Sequence, residues 1–129
     1  MKNLYLFFFI VVFASCQTQH TTDEERTLEH PFIHTAYFWL KPGLTPGEKE
    51  AFILDCEKLK EVETVRAFYS GSPANTNREV IENSYDYAVV FHFKDLKDQE
   101  YYQQHPLHLE MIEKHQDKWE KVMVTDIAH

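Results

Sequence analysis

The chain from Phe32 to Leu40 is apolar at almost every position and has the two-residue period of a strand. One face of that strand would carry Phe32, His34, Ala36, Phe38 and Leu40. The other face would carry Ile33, Thr35, Tyr37 and Trp39. The turn Lys41-Pro42-Gly43 then ends the strand. Both faces of this strand therefore need cover from other parts of the protein.

A helix is predicted next, over residues 45–62. Thr45 suits the N-cap, Pro46 the first helical position, and Glu48 closes a capping box. The apolar residues that recur at helical spacing are Phe52, Cys56, Leu59 and Val62. This spacing makes Cys56 a buried, small hydrophobic side chain rather than a reactive thiol.

The remaining patterns predict three further strands and two further helices. The strands cover residues 64–70, 85–94 and 120–127, and a polar loop over residues 72–84 separates the first two. The helices cover residues 95–104, with Asp95 as the cap, and residues 107–118. If the last two helices are counted as one helical unit, the order is β-α-β-β-α-β. This is the order of a ferredoxin-like α+β fold, formed by one domain over residues 32–128.

The apolar faces of the strands also predict how the domain assembles. An antiparallel sheet covered by one layer of helices should show one polar face, yet the first and third predicted strands are apolar on both. So short a chain has helices for one face only. We therefore expect the sheet of a second copy to cover the other face, giving a homodimer that forms a dimeric α/β barrel.

Residues 1–15 have the pattern of an export signal. A short basic start that contains Lys2 precedes an apolar run over residues 4–13, which is too short to span a bilayer. Ala14-Ser15-Cys16 resembles a bacterial lipobox, in which Cys16 would carry lipid and become the new N-terminus. The alternative is an ordinary secretory signal cleaved near the same place. Both predict an exported protein, and lipidation at Cys16 would anchor it in the cell envelope.

Charge restricts the partners of the exported chain. Residues 16–31 are polar and predict a flexible tether. Loss of residues 1–15 removes Lys2 and changes the net charge from −8 to −9. Nucleic acid and anionic lipid surfaces would repel such a chain, so any membrane attachment would come from the lipid alone.

Proton-active side chains are concentrated in the segment Tyr102-Gln-Gln-His105-Pro106-Leu107-His108. Imidazole and phenol groups both move protons, and imidazole does so near neutral pH. Pro106 forces His105 out of helical geometry, so the segment predicts a corner between two helices. The structural alternative is that these histidines hydrogen-bond free backbone groups at the corner, with His34 a core residue.

A metal site is the weaker interpretation of the same histidines. His105-x-x-His108 could share a zinc ion with His34, His92 or His115 as a further ligand. Pro106 breaks the helical spacing that such a pair needs, and no acidic or cysteine residue adjoins it. We therefore expect no metal.

The whole domain resembles the Dabb family, the stress-responsive dimeric α/β-barrel domain. The matching pieces are Ile33-His34-Thr35, Lys41-Pro42-Gly43 with residues 45–48, Val65-Arg66 through Gly71, Tyr85-Asp86 and, as the most specific, Tyr102-x-x-His105-Pro106-x-His108. The resemblance implies a ferredoxin-like protomer, a dimeric barrel and no cofactor or metal. It assigns no reaction, because most members have none.

A plant polyketide cyclase that resembles this chain over the same span suggests site residues. Its catalytic tyrosine and histidine fall on Tyr102 and His108, and a pocket histidine falls on His34. Tyr87 and Cys56 stand where it has another histidine and a tyrosine, so the resemblance does not carry its substrate over. From this motif we expect His108 to take a proton from a carbon acid next to a carbonyl, while Tyr102 orients His108 or hydrogen-bonds the enolate oxygen. We also expect His105 to lie at the pocket.

Three functions remain open at this point. The first is binding of a small apolar or carbonyl-containing molecule near Tyr102 and His108, with acid–base chemistry that needs no cofactor. The second is a non-catalytic, dimeric structural or binding domain in stress response. The third is a cofactor-independent oxygenase, a class found among related dimeric barrels.

Overall fold

A computed structural model describes residues 31–128. The elements are β1 (Phe32–Leu40), α1 (Pro46–Lys58), β2 (Ala67–Gly71), β3 (Tyr87–Phe93), α2 (Leu96–Gln104), α3 (Pro106–His115) and β4 (Trp119–Ile127). Short 3-10 turns extend α1 over Leu59–Glu61 and α3 over Gln116–Lys118. The predicted signal peptide, Cys16 and all but the last residue of the predicted tether lie outside the described residues.

The four strands form one antiparallel sheet in the order β2-β3-β1-β4. With helices between β1 and β2 and between β3 and β4, this is the ferredoxin-like α+β fold that the patterns predict, and the prediction is confirmed. β2 begins at Ala67 rather than residue 64, because Val65 first donates its backbone N–H to Val62 in a turn. Within residues 31–128, no helix is long and apolar enough to cross a bilayer.

Local sequence signals decide where the first helix begins. The Thr45 hydroxyl accepts a hydrogen bond from the Glu48 N–H, and the Glu48 carboxylate accepts one from the Thr45 N–H at 2.8 Å. The predicted capping box is therefore confirmed. Gly43, in the preceding turn, has a φ of 90°, which glycine adopts without strain.

The helices cover one face of the sheet. On that face Phe52 of α1 packs edge to face on Phe38 of β1, with ring centres 5.1 Å apart. Trp119 also packs on Phe38, at 5.2 Å. Tyr102 of α2 packs on Phe91 of β3 at 4.9 Å. These aromatic contacts form much of the buried core.

We call the other side of the sheet the open face, because no described helix lies on it. Its side chains form four rows across the strands. The rows contain Ile127, Ile33, His92 and Ala67; then Thr125, Thr35, Val90 and Tyr69; then Met123, Tyr37, Ala88 and Gly71; and finally Lys121 and Trp39. The open face is mostly apolar, as the two-faced pattern of β1 and β3 predicts.

Candidate functional site

Tyr102 lies in the last turn of α2 and is almost completely buried, with 1% of its surface exposed. Its ring packs between Phe91 and Phe93 of β3, at 4.9 Å and 5.2 Å. Burial, and less strongly the nearby Cys56, raise the pKa of the Tyr102 phenol well above its usual range. No hydrogen bond among residues 31–128 uses its hydroxyl. The phenol therefore keeps its proton at neutral pH.

His105 and Pro106 form the helix corner that the sequence predicts. The backbone of His105 is extended, with φ −68° and ψ 138°. His105 is both the C-cap of α2 and the N-cap of α3. Its Nδ1 accepts a hydrogen bond from the Leu107 N–H at 3.2 Å, and its Nε2 lies 3.7 Å from a carboxylate oxygen of Glu63. One ring nitrogen of His105 is thus engaged within the corner, and the other faces Glu63.

His108 lies in the first turn of α3, with its ring 4.6 Å from the ring of Tyr102. Its Nδ1 is 3.0 Å from the Gln103 carbonyl, which can only accept, so Nδ1 carries a hydrogen. The Nε2 of a neutral ring then holds a lone pair. Burial lowers the pKa of His108, a nearby charge on His34 would lower it further, and the Gln103 hydrogen bond opposes both. His108 is therefore a neutral base at pH 7.

His34 is paired with a residue that the sequence analysis did not identify. Its Nδ1 lies 2.6 Å from Oδ1 of Asp126, the residue opposite it on β4. A carboxylate oxygen accepts, so Nδ1 of His34 donates, and its Nε2 has no partner among residues 31–128. His34 is 5% exposed, whereas the Asp126 side chain is 46% exposed. The alternation Val122, Val124, Asp126 places all three on the helix side, but only the strand register pairs Asp126 with His34.

The three predicted rings are neighbours. The ring centres of His34 and Tyr102 are 6.1 Å apart, and Tyr102 lies against His108. Asp126 is the exposed member and marks the side of the cluster nearest solvent. The structure thus groups Tyr102, His108, His34 and Asp126, and turns His105 away toward the corner.

Tyr87 and Cys56 lie farther along the same buried face. Tyr87 packs 6.2 Å from Phe52, and its hydroxyl is 3.4 Å from a carboxylate oxygen of Glu57. Cys56 is fully enclosed, and burial raises the pKa of its thiol to about 12. The thiol is protonated at neutral pH and contributes packing, as the helical spacing predicts.

Metal-binding side chains are not grouped in the part of the chain that the structure describes. There, no three His, Cys, Asp or Glu residues are placed to share an ion. His105 and His108 point to different partners, Leu107 and Gln103. What the cluster offers chemically is the Nε2 atom of each of two imidazoles and one phenol hydroxyl.

The fold agrees with the family comparison. The chain belongs to the Stress responsive A/B Barrel Domain family, Dabb, whose model matches residues 32–129. No curated protein sequence matches the chain.

Solved structures share the fold at low sequence identity. A dimeric ferredoxin-like protein of unknown function from Thermobifida fusca is 20% identical with a TM-score of 0.65, covering 78% of this chain and 92% of its own. A Dabb family protein from Mesorhizobium loti is 21% identical with a TM-score of 0.63, covering 78% and 98%. A hydroxynitrile lyase from Passiflora edulis is 17% identical with a TM-score of 0.67, covering 77% and 93%.

Proposed function

We propose that this chain binds a small, largely apolar molecule with a carbonyl group against Tyr102, His34 and His108, and moves a proton there without a cofactor. The observation that carries the proposal is the state of the two imidazoles. Each has one nitrogen committed, to Asp126 or to the Gln103 carbonyl, and the other nitrogen unpaired among residues 31–128. A phenol hydroxyl with no described partner lies beside both.

The chemistry that fits these groups is enolisation. The Nε2 of His108 takes a proton from the carbon next to the carbonyl. The electrons of the broken C–H bond form the C=C bond, and the carbonyl oxygen becomes an enolate that accepts a hydrogen bond from Tyr102. The lowered pKa of His108 keeps this base neutral, and the raised pKa of Tyr102 keeps the donor protonated. His34, oriented by Asp126, would hold a second polar group of the ligand.

Deuterium exchange into a ketone tests this step directly. Acetophenone is incubated with the protein in D₂O, and loss of the methyl ¹H signal is followed by NMR. We expect exchange above the buffer rate, lowered at least 10-fold and about 100-fold at most by His108→Gln or Tyr102→Phe. The control is His105→Asn, which changes a histidine of the same motif but retains a good N-cap residue, and which should exchange as the wild type does. Equal exchange in all four proteins would contradict the proposal.

A second probe follows from one of the structural relatives. Because the Passiflora edulis protein is named a hydroxynitrile lyase, the cyanohydrin of benzaldehyde joins acetophenone as a test compound. Here a base takes the hydroxyl proton, the carbon–carbon bond breaks, cyanide leaves with the electron pair, and benzaldehyde forms. Release of benzaldehyde is followed by its ultraviolet absorbance, with the same variants and the same control.

The alternative is a domain that binds or assembles without catalysis. The burial of Tyr102 between Phe91 and Phe93 favours it, because the ring packs as a core residue does. Under this alternative, acetophenone shifts the imidazole resonances of His34 and His108, or leaves them unchanged, but never exchanges faster than in buffer.

The domain is further proposed to be a homodimer whose two open faces meet. An exposed apolar sheet face of this size needs a partner, and the Thermobifida fusca relative is described as dimeric. Val90→Glu, in the second row of the open face, should give a monomer in sedimentation velocity. Leu109→Glu is the matched control, since Leu109 is an exposed residue of α3 on the helix side and should leave the dimer intact.

Export and lipid attachment at Cys16 complete the proposal. The support is the sequence pattern of residues 1–16. Labelling of cells with a radioactive fatty acid should mark the wild type and not Cys16→Ser. Labelling of both proteins to the same degree would contradict an anchor at Cys16.

A further inference from the structure

His92 is the imidazole of the open face. It lies near the end of β3, level with Ile33 of β1 and Ala67 of β2. The Tyr69 ring is 5.8 Å from it, and its side chain is partly exposed. His92 thus lies in an apolar row of the surface that the proposed homodimer would bury.

No carboxylate stands near His92 on this surface. β1 presents Ile33 and Thr35 to it, β2 presents Ala67 and Tyr69, and none of the four rows contains an acidic residue. The phenol of Tyr69 is thus the titratable group that faces His92 from the adjacent strands.

Lys94, two residues after His92 and just past the end of β3, is a cation and supplies no opposite charge. Arg66 and Lys121 are engaged elsewhere. Arg66 directs its guanidinium to Asp98 at 3.6 Å, on the helix side of the sheet. Lys121 is in the row at the opposite end of the open face and lies over Trp39. Hydrogen bonds from Ser84, and more weakly the charge of Lys121, lower the pKa of the Glu82 carboxyl, so Lys121 has an acidic neighbour there. His92 has no such neighbour among the described residues.

Association of two identical open faces leaves both copies of His92 without a neighbouring carboxylate. A twofold interface is self-complementary, so each copy brings the same four rows and neither supplies a carboxylate for the other's His92. Burying an unpaired charge is costly, whereas a neutral imidazole can be buried. We propose that protonation of His92 dissociates the homodimer, so that the protein is a dimer near neutral pH and a monomer in acid.

This inference rests on the proposed homodimer and predicts the size of the effect. An imidazole that must be neutral in the dimer weakens association about tenfold for each pH unit below the ordinary imidazole pKa of about 6.5. Two copies of His92 would therefore raise the dimer Kd up to about 1,000-fold between pH 8 and pH 5, and we expect at least about 30-fold.

Sedimentation velocity at pH 8.0, 6.5 and 5.0 tests the inference. The full chain is used with Cys16→Ser in every sample, so that no lipid contributes to association. His92→Gln and His92→Phe are two uncharged replacements, one polar and one aromatic. His105→Gln is the matched control, because it removes an imidazole at the helix corner and leaves the open face unchanged.

The expected result is a dimer at pH 8 in all four proteins. The Kd should rise in acid for the background protein and His105→Gln, and change by less than about threefold for the two His92 variants. A pH-independent dimer, or a His92 variant with the full acid response, would overturn the role of His92 and leave the dimer standing. So would failure of both His92 variants to dimerise at pH 8. A monomeric background protein at pH 8 would instead overturn the homodimer and this inference with it.

Discussion

Residues 31–128 contain two histidine–aspartate pairs at similar distances, and their surroundings differ. His34 and Asp126 are joined across β1 and β4 at 2.6 Å. His115, at the end of α3, is joined to Asp55 of α1 at 2.9 Å. Both imidazoles are buried, but the Asp126 side chain is 46% exposed and the Asp55 side chain 14%.

In the His115–Asp55 pair, called the helix pair below, both carboxylate oxygens and both ring nitrogens have partners. Asp55 also accepts from Lys58 at 2.7 Å and from Lys114 at 3.2 Å. The second nitrogen of His115 lies 3.3 Å from the Lys118 ammonium. This network of hydrogen bonds and ion pairs holds α3 on α1. In the sheet pair, His34 and Asp126, the Nε2 of His34 has no partner among residues 31–128, and that difference is the reason that only His34 is included in the proposed binding site.

The largest effect should come from removing the buried carboxylate. Asp55→Asn leaves the Lys58 and Lys114 ammonium groups and the His115 N–H around a neutral amide. Removal of one partner of a largely buried pair is strongly destabilising. We expect a loss of about 3 kcal/mol in the free energy of unfolding, measured in urea. Asp126→Asn, the matched change in the exposed pair, should cost less than about 1 kcal/mol. If Asp126→Asn lost as much unfolding free energy as Asp55→Asn, or more, the His115–Asp55 pair would not be the one that stabilises the fold.

Acid should remove the contribution of the helix pair. Hydrogen bonds from Lys58 and His115 hold the pKa of the Asp55 carboxyl well below its usual range. A depressed folded-state pKa stabilises the protein above the unfolded pKa, about 3.9 for aspartate, and this is lost as pH falls through the folded value. The stability difference between wild type and Asp55→Asn should therefore be constant above about pH 5 and shrink below about pH 4. Urea midpoints from pH 7 to pH 2.5 measure it, and a constant difference would be the contrary result.

Loss of the N-cap of α1 should have an effect on stability between those of the two aspartate substitutions. Thr45→Ala removes the hydroxyl that accepts from Glu48 at the start of α1 and should cost about 1 kcal/mol. This lies between the values expected for Asp55→Asn and Asp126→Asn. Thr45→Ser, which keeps the hydroxyl, is the control, and an unchanged melting temperature for Thr45→Ala would refute the cap's contribution.

The features that the sequence predicts correctly are local ones, which depend on residues close together in the chain. The capping box at Thr45 and the helix corner at Pro106 follow from residues within a few positions of one another, and both are found. The polar partners of His34 and His115 are separated from them by 92 and 60 positions. Only the β1–β4 register and the packing of α1 on α3 bring them together, and neither can be deduced from periodicity. Asp126 was missed for this reason, although the ring cluster it joins was predicted.

The smallest effect is a difference in tautomer between the two pairs, with no change in stability. The carboxylate binds Nδ1 of His34 and Nε2 of His115, so the hydrogen of each neutral ring should be on that nitrogen. Long-range ¹H–¹⁵N correlation spectra at pH 8 distinguish the two forms, with peaks assigned from His34→Gln and His115→Gln. His108, bound through Nδ1 to the Gln103 carbonyl, should match His34. An Nε2–H tautomer at His34 would leave it no free lone pair, and the contrast between the two pairs would then fail.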